Sequence, residues 1–137
     1  MKVFFDTNVY VAEALLGKGA AALIDATLAA GWRIHVSSYV LDEVEHVVSD
    51  YFGFSRRLAA LSRQRVLRRA TPVKPPASRH VVPDDPKDSP ILKAALAAGS
   101  DYLVTNDGHL LSLDPYESLR IVSLADYGRL LRGAGLL

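Results

Sequence analysis

The 137-residue sequence predicts an α/β fold: one three-layer domain over 1–137, with a central, mostly parallel sheet and helices on both faces. Three observations carry this. Short apolar runs alternate with stretches of helical period along the chain. The runs "KVFF" and "DYLVTN" are continuously apolar at their centres, as in strands covered on both faces. No internal repeat interrupts the alternation. Right-handed crossovers are then expected, with ligands outside the carboxyl ends of the strands.

"KVFF" is the first strand. From Thr7 to about Leu16, Val9, Ala12, Leu15 and Leu16 recur on one side of a helix. "GKG" interrupts it, and "AAALIDATLAA" forms a second helix closed by Gly31. "RIHVS" is a strand. Ser38 reads as the N-cap of a helix to about Phe52, whose apolar face carries Val40, Val44, Val47 and Tyr51. After Gly53 an Arg-rich helix runs to about Ala70. Six of the seven prolines then fall between Pro72 and Pro90, which predicts an extended connection. "SPILKAALAAG" is a helix with Pro90 in its first turn and Gly99 past its end. "DYLVTN" is a strand, "DGHLLSL" a helical turn, "LRIVS" a strand and "LADYGRLLRGAG" a closing helix.

Half the residues are hydrophobic and 23% are charged, the balance of a globular protein. With no cysteine there is no disulfide and no thiolate metal site, which fits a reducing cytoplasm. No apolar run approaches the roughly 20 residues that span a bilayer, and no export signal is evident. The net charge of +1 hides an asymmetry. Arg56, Arg57, Arg63, Arg65, Arg68 and Arg69 share a 14-residue stretch without an acid, leaving ten basic against fifteen acidic residues elsewhere. Such an arm suits a polyanion such as nucleic acid, or an acidic protein face.

Asp6 follows "VFF" directly, and Asp107 stands just past "YLVT". In a parallel sheet both lie on the same edge, and adjacent strands are about 5 Å apart. Each alone is explained as a helix cap; the matched pair points to a shared ion. Asp88 precedes the helix at Ser89, with Asp84 and Asp85 as nearby alternatives. Glu43 lies on the flank of its helix, near the N-terminus, while Asp42 falls opposite the apolar face. Two carboxylates about 4 Å apart repel by roughly 4 kcal/mol at an effective dielectric of 20, so such a cluster calls for protons or cations. Oxygen donors without thiolate favour Mg²⁺ or Mn²⁺, ions suited to phosphoryl chemistry. His35, His46, His80 and His109 show no ligand-like spacing and read as structural or surface residues.

Taken together, these segments resemble the PIN domain. "VFFDTNVYVAEAL" is similar to its first motif, "SSYVLDEVEHVV" to its second, with Glu43 as the motif acid, and "DDPKDSPILKAALAAGSDYLVTNDGHLL" to its third and fourth run together. "LRIVSLADYGRLL" fits its last strand and helix. The resemblance covers essentially the whole chain and implies a metal-dependent ribonuclease, most often the toxin of a bacterial toxin–antitoxin pair. It implies that Asp6, Glu43, Asp88 and Asp107 hold Mg²⁺ or Mn²⁺, with Thr7, Asn8 and Thr105 supporting them. RNA is then the substrate, gripped by the Arg56–Arg69 arm; an antitoxin and a second copy of the chain are the expected partners. Two departures stand out: Asn106 replaces the small residue common before the last acid, and the proline-rich stretch before Asp84 is long. An aspartyl-phosphate-forming phosphatase is a rival reading, but it usually carries a second acid where this chain has Asn8. A non-catalytic interaction module is the other.

Overall fold

The computed structural model describes residues 1–74 and 89–137. In chain order the elements are β1 (Lys2–Phe5), α1 (Thr7–Leu16), α2 (Lys18–Ala29), β2 (Arg33–Ser37), α3 (Ser38–His46), a π-helical turn (Val47–Tyr51), α4 (Arg56–Arg69) and β3 (Thr71–Val73). After the undescribed stretch come α5 (Ser89–Ala97), β4 (Tyr102–Val104), α6 (Gly108–Leu111), β5 (Arg120–Val122) and α7 (Leu124–Gly133). The strands form one five-stranded sheet in the order β3-β2-β1-β4-β5, every pair parallel. The predicted α/β class is the observed one.

The order places β1 beside both β2 and β4. Connections leave β1 toward β3 on one side, then return past it to β4 and on to β5. Right-handed crossovers running in opposite directions therefore put helices on both faces and create a switch point between the carboxyl ends of β1 and β4. Register makes this concrete: Phe5 pairs with Val104, and the amide of Asp6 donates to the Val104 carbonyl at 2.9 Å. Val3, Phe4 and Phe5 are wholly buried, as a strand covered on both faces requires. The Phe5 ring meets the edges of Tyr10 on α1 and Tyr127 on α7, at centroid distances of 6.0 and 5.6 Å. Tyr127 also shares a buried hydrogen bond with Thr27 of α2, so α7 is tied to the face that carries α1 and α2.

Three local expectations are corrected. The cap of α3 is Ser37, whose hydroxyl accepts from the Val40 amide at 3.3 Å; Ser38 is already helical. The helix does not run regularly to Phe52. It widens at Val47, where the Phe52 amide reaches back five residues to the Val47 carbonyl. Val40, Val44 and Val48 are buried, whereas Val47 is half-buried and Tyr51 is 78% exposed. The wider turn rotates the end of the helix, so the apolar row closes on Val48 and Tyr51 swings outward. Finally, Thr71–Val73 is a strand paired with β2, not part of an extended connection. Pro72 is tolerated there because β3 is the sheet edge.

Candidate active site

Asp6 is the first residue beyond β1 and the N-cap of α1. It is only 3% exposed, because Phe5 before it and Val9 after it are core residues. One carboxylate oxygen, Oδ1, accepts from the Thr7 amide at 2.6 Å. The other, Oδ2, accepts from the Thr105 hydroxyl at 2.7 Å and from the Asn8 side-chain amide at 3.3 Å. One side chain thus caps α1 and reaches across to the end of the neighbouring strand.

Thr105, wholly buried at the end of β4, joins the two strand-end acids. Its hydroxyl donates to Asp6 and accepts from the backbone amide of Asp107 at 3.0 Å. Asp107 in turn caps α6, taking the amides of His109 and Leu110 at 2.8 and 3.2 Å. Glu43 approaches from α3. Asp6, Glu43 and Asp107 line one cleft of about 260 Å³ with Thr7, Asn8 and Ile91. Replacing Thr105 by Val keeps the shape but leaves the Asp107 amide without its partner and strips Asp6 of its shortest side-chain bond. A loss of about 1–3 kcal/mol in unfolding free energy is expected from urea titration; an unchanged midpoint would show that the bridge carries little.

Burial pushes the Asp6 carboxyl up to about 6; the Thr105 and Thr7 hydrogen bonds oppose this, and the charges of Asp107 and Glu43 add to it. The cleft gathers three carboxyl groups, and none of its described lining residues is basic. Two more oxygens, Thr7 Oγ1 and Asn8 Oδ1, are buried there without hydrogen-bond partners among the described residues. An all-oxygen donor set of this kind fits a hard divalent cation. Among the described residues, no three Asp, Glu or His side chains gather tightly enough to hold a metal ion by themselves. The donors that are present would leave part of a bound ion's shell to water. Asp88, with its alternatives Asp84 and Asp85, lies outside the described residues, as does His80.

The family model for the PIN domain matches residues 2–109, which include β1, β4 and all of these acids. The chain belongs to the PIN domain family. No curated protein matches it by sequence. A solved chain of similar fold comes from VapBC2 of Rickettsia felis bound to a DNA fragment from their promoter. It is 20% identical, with a TM-score of 0.66 over 90% of this chain and 98% of that one.

In this PIN domain the six arginines do not act alike. Arg69 is clamped by Glu13 through two bonds of 2.6 and 2.5 Å, and Arg65 lies 3.4 Å from the same carboxylate. Arg63 pairs with Asp42 at 2.6 Å and Glu45 at 3.4 Å. Arg56, Arg57 and Arg68 are exposed and make no ion pair with the described residues. Glu13 escaped sequence reasoning; only its position three residues after Tyr10, inside a buried helix face, hinted at it. His109 also sits closer to the site than its spacing suggested, with Nδ1 3.9 Å from Asp107 Oδ1. Asn106, the departure from the family pattern, accepts from the Leu124 amide at 3.1 Å and so pins the start of α7. No helix among the described residues is long and apolar enough to cross a membrane.

Proposed function

We propose that this PIN domain is a metal-dependent endoribonuclease, hydrolysing RNA phosphodiester bonds with Mg²⁺ or Mn²⁺. The observation that carries the reading is the buried Asp6 bridged through Thr105 to Asp107 at the sheet's switch point, with Glu43 facing the same cleft. Members of the family are generally nucleases, and this chain retains the motif acids Asp6, Glu43, Asp88 and Asp107. Bound among these oxygens, the cation would supply Lewis-acid stabilisation of charge on the phosphoryl group and the leaving oxygen. Asp6, fixed by three donors, presents its carboxylate in one orientation. Thr105 holds the spacing of Asp6 and Asp107, and Glu43 supplies negative charge from the opposite wall. The exposed arginines of α4 hold the RNA backbone, giving affinity without sequence choice.

Purified protein incubated with total RNA is expected to cut it with Mg²⁺ or Mn²⁺, to stop with EDTA, and to leave 5′-phosphate and 3′-hydroxyl ends. Cleavage that persists in EDTA would remove the metal from the reading. The same ions at a hundredfold excess over their dissociation constant should raise stability by about 2.7 kcal/mol, measurable as a shift in thermal midpoint.

The toxin reading adds an antitoxin as partner. It is supported by the fold shared with a VapBC2 chain and by the exposed Leu58 and Leu61 of α4, which flank an apolar recess of about 250 Å³ with Ala14, Val48 and Phe54. A non-catalytic interaction module is the second reading, favoured by the absence of a closed three-residue metal group among the described residues. Metal binding without RNA cleavage would decide for it.

A further inference from the structure

The segment "DYFGFSRR" places three aromatic rings and two arginines in eight residues, Asp50 to Arg57. Tyr51 is 78% exposed and Phe52 45%. Their rings meet edge to face at a centroid distance of 4.9 Å. Large apolar rings turned to water on a well-fixed segment need a reason, and this segment is well fixed. The amides of Phe52, Gly53 and Phe54 bond back to the carbonyls of Val47, Ser49 and Val48 at 3.0, 3.0 and 3.1 Å. Gly53, at φ +74°, makes the reversal that leads to the Ser55 cap of α4.

The π-helical turn decides where these rings point. It lets Val48 close the apolar row and releases Tyr51 to solvent. Glu43, Val47 and Tyr51 follow one another at four-residue intervals, and the first two line the acidic cleft. Tyr51 thus lies about two turns beyond Glu43, at the far end of the π-helical turn. Five and six residues further along the chain, Arg56 and Arg57 are exposed and free of ion pairs with the described residues, in contrast to Arg63, Arg65 and Arg69. Of the acids that share a recess with Arg56, Asp42 and Glu45 pair with Arg63, and Asp50 lies 2.7 Å from His46.

We infer that Tyr51 and Phe52, with Arg56 and Arg57, form a stacking platform for single-stranded RNA that flanks the scissile phosphate. The inference rests on the ribonuclease reading for its substrate and assigns the contact that holds it to the exposed rings between the π-helical turn and α4. Unstacked bases offer faces to aromatic rings, and arginines beside the rings take the phosphates. A paired duplex hides its base faces and gains nothing from Tyr51.

The test measures binding apart from cleavage, in EDTA, using a fluorescein-labelled unstructured 12-nucleotide RNA and a duplex of the same sequence. The Tyr51→Ala and Phe52→Ala variants are each expected to weaken single-strand binding by about fivefold to a hundredfold. Duplex binding should stay within twofold, and Tyr51→Phe should keep most of the affinity because the ring remains. Replacing Arg56 and Arg57 by Gln should lower the slope of log affinity against log salt by roughly 1.4, at ~0.7 per phosphate contact. Both rings are exposed, so the variants should keep the parent urea midpoint. Unchanged single-strand affinity in both alanine variants, or an equal loss for duplex, overturns the platform. So does a shift from dimer to monomer in those variants with RNA affinity intact, which would assign the rings to a protein contact. If the wild type binds the single strand through Tyr51 yet never cuts it with Mg²⁺, the ribonuclease reading fails and the platform stands.

Discussion

Asp6→Asn is expected to abolish metal-dependent RNA cleavage and, at neutral pH, to stabilise the metal-free protein. The loss follows from taking away the charge at the centre of the site; removing one such preorganised group costs about 10²–10³ in rate. The fold should survive, because an amide keeps the Thr7 bond and can reverse the Thr105 bond, at the cost of leaving the Thr105 hydroxyl proton without its acceptor. Its oxygen accepts from the Thr7 amide as before, and its nitrogen can donate to Thr105, whose hydroxyl already accepts from Asp107. Asn8 can turn its unpartnered Oδ1 toward it. The gain in stability follows from linkage. Burial, above all, raises the Asp6 carboxyl from 3.8 to about 6 in the folded chain. A raised folded pKa means a contribution fully present below about 3.8 and lost as pH rises through about 6. Above that range the buried charge costs about 3 kcal/mol, from roughly two pH units at 1.36 kcal/mol each. Urea unfolding in EDTA should therefore find Asp6→Asn more stable than the parent at pH 8, with the gap closing toward pH 4. A gap that does not change with pH would show that Asp6 is not held as described. Full cleavage by the folded variant would end the ribonuclease assignment of this site.

Glu13→Ala should be the most destabilising single change away from the cleft. The Glu13 side chain is 3% exposed and carries both Arg69 bonds, with Arg65 at the edge of reach. Burial works to lower the Arg69 pKa, and the Glu13 hydrogen bonds and charge more than reverse it. Without Glu13, the largely buried guanidinium has no ion-pair partner among the described residues, where the nearby Tyr10 hydroxyl also lacks a hydrogen bond. Breaking such a pair costs about 3–5 kcal/mol, a large share of a typical 5–15 kcal/mol of total stability. The urea midpoint should fall accordingly. Replacing Glu13 by Leu and Arg69 by Met together should recover most of the loss, since the penalty lies in the unpaired charge. If the double variant is as unstable as the single, packing of α1 on α4 and not charge is what Glu13 provides.

The parts of the fold that a sequence makes legible are those set by short-range patterning. "VFF" could be read as a strand covered on both faces, Gly31 and Gly99 as helix ends, and Pro90 as a first-turn residue, because each reflects a local steric or burial rule. β3 was not legible. Three residues with a proline at their centre look like loop, and only the open edge of β2 makes them a strand. The π-helical turn was hidden for a similar reason. Val47 and Val48 both suit an apolar face, and packing chose Val48.

The same division runs through the site. The sequence by itself determined that Asp6 and Asp107 would follow parallel strands and so share one sheet edge, and that no thiolate could be a donor. It also placed Glu43 near the start of its helix and Thr105 close to the last acid. Only the tertiary structure decided that β1 and β4 are neighbours, that one Thr105 hydroxyl joins both acids, and that Glu13 fastens half of the arginine helix. Strand order and ion-pair partners depend on contacts between residues 56 to 99 positions apart. Such contacts form when elements pack, and no local period in the chain records them.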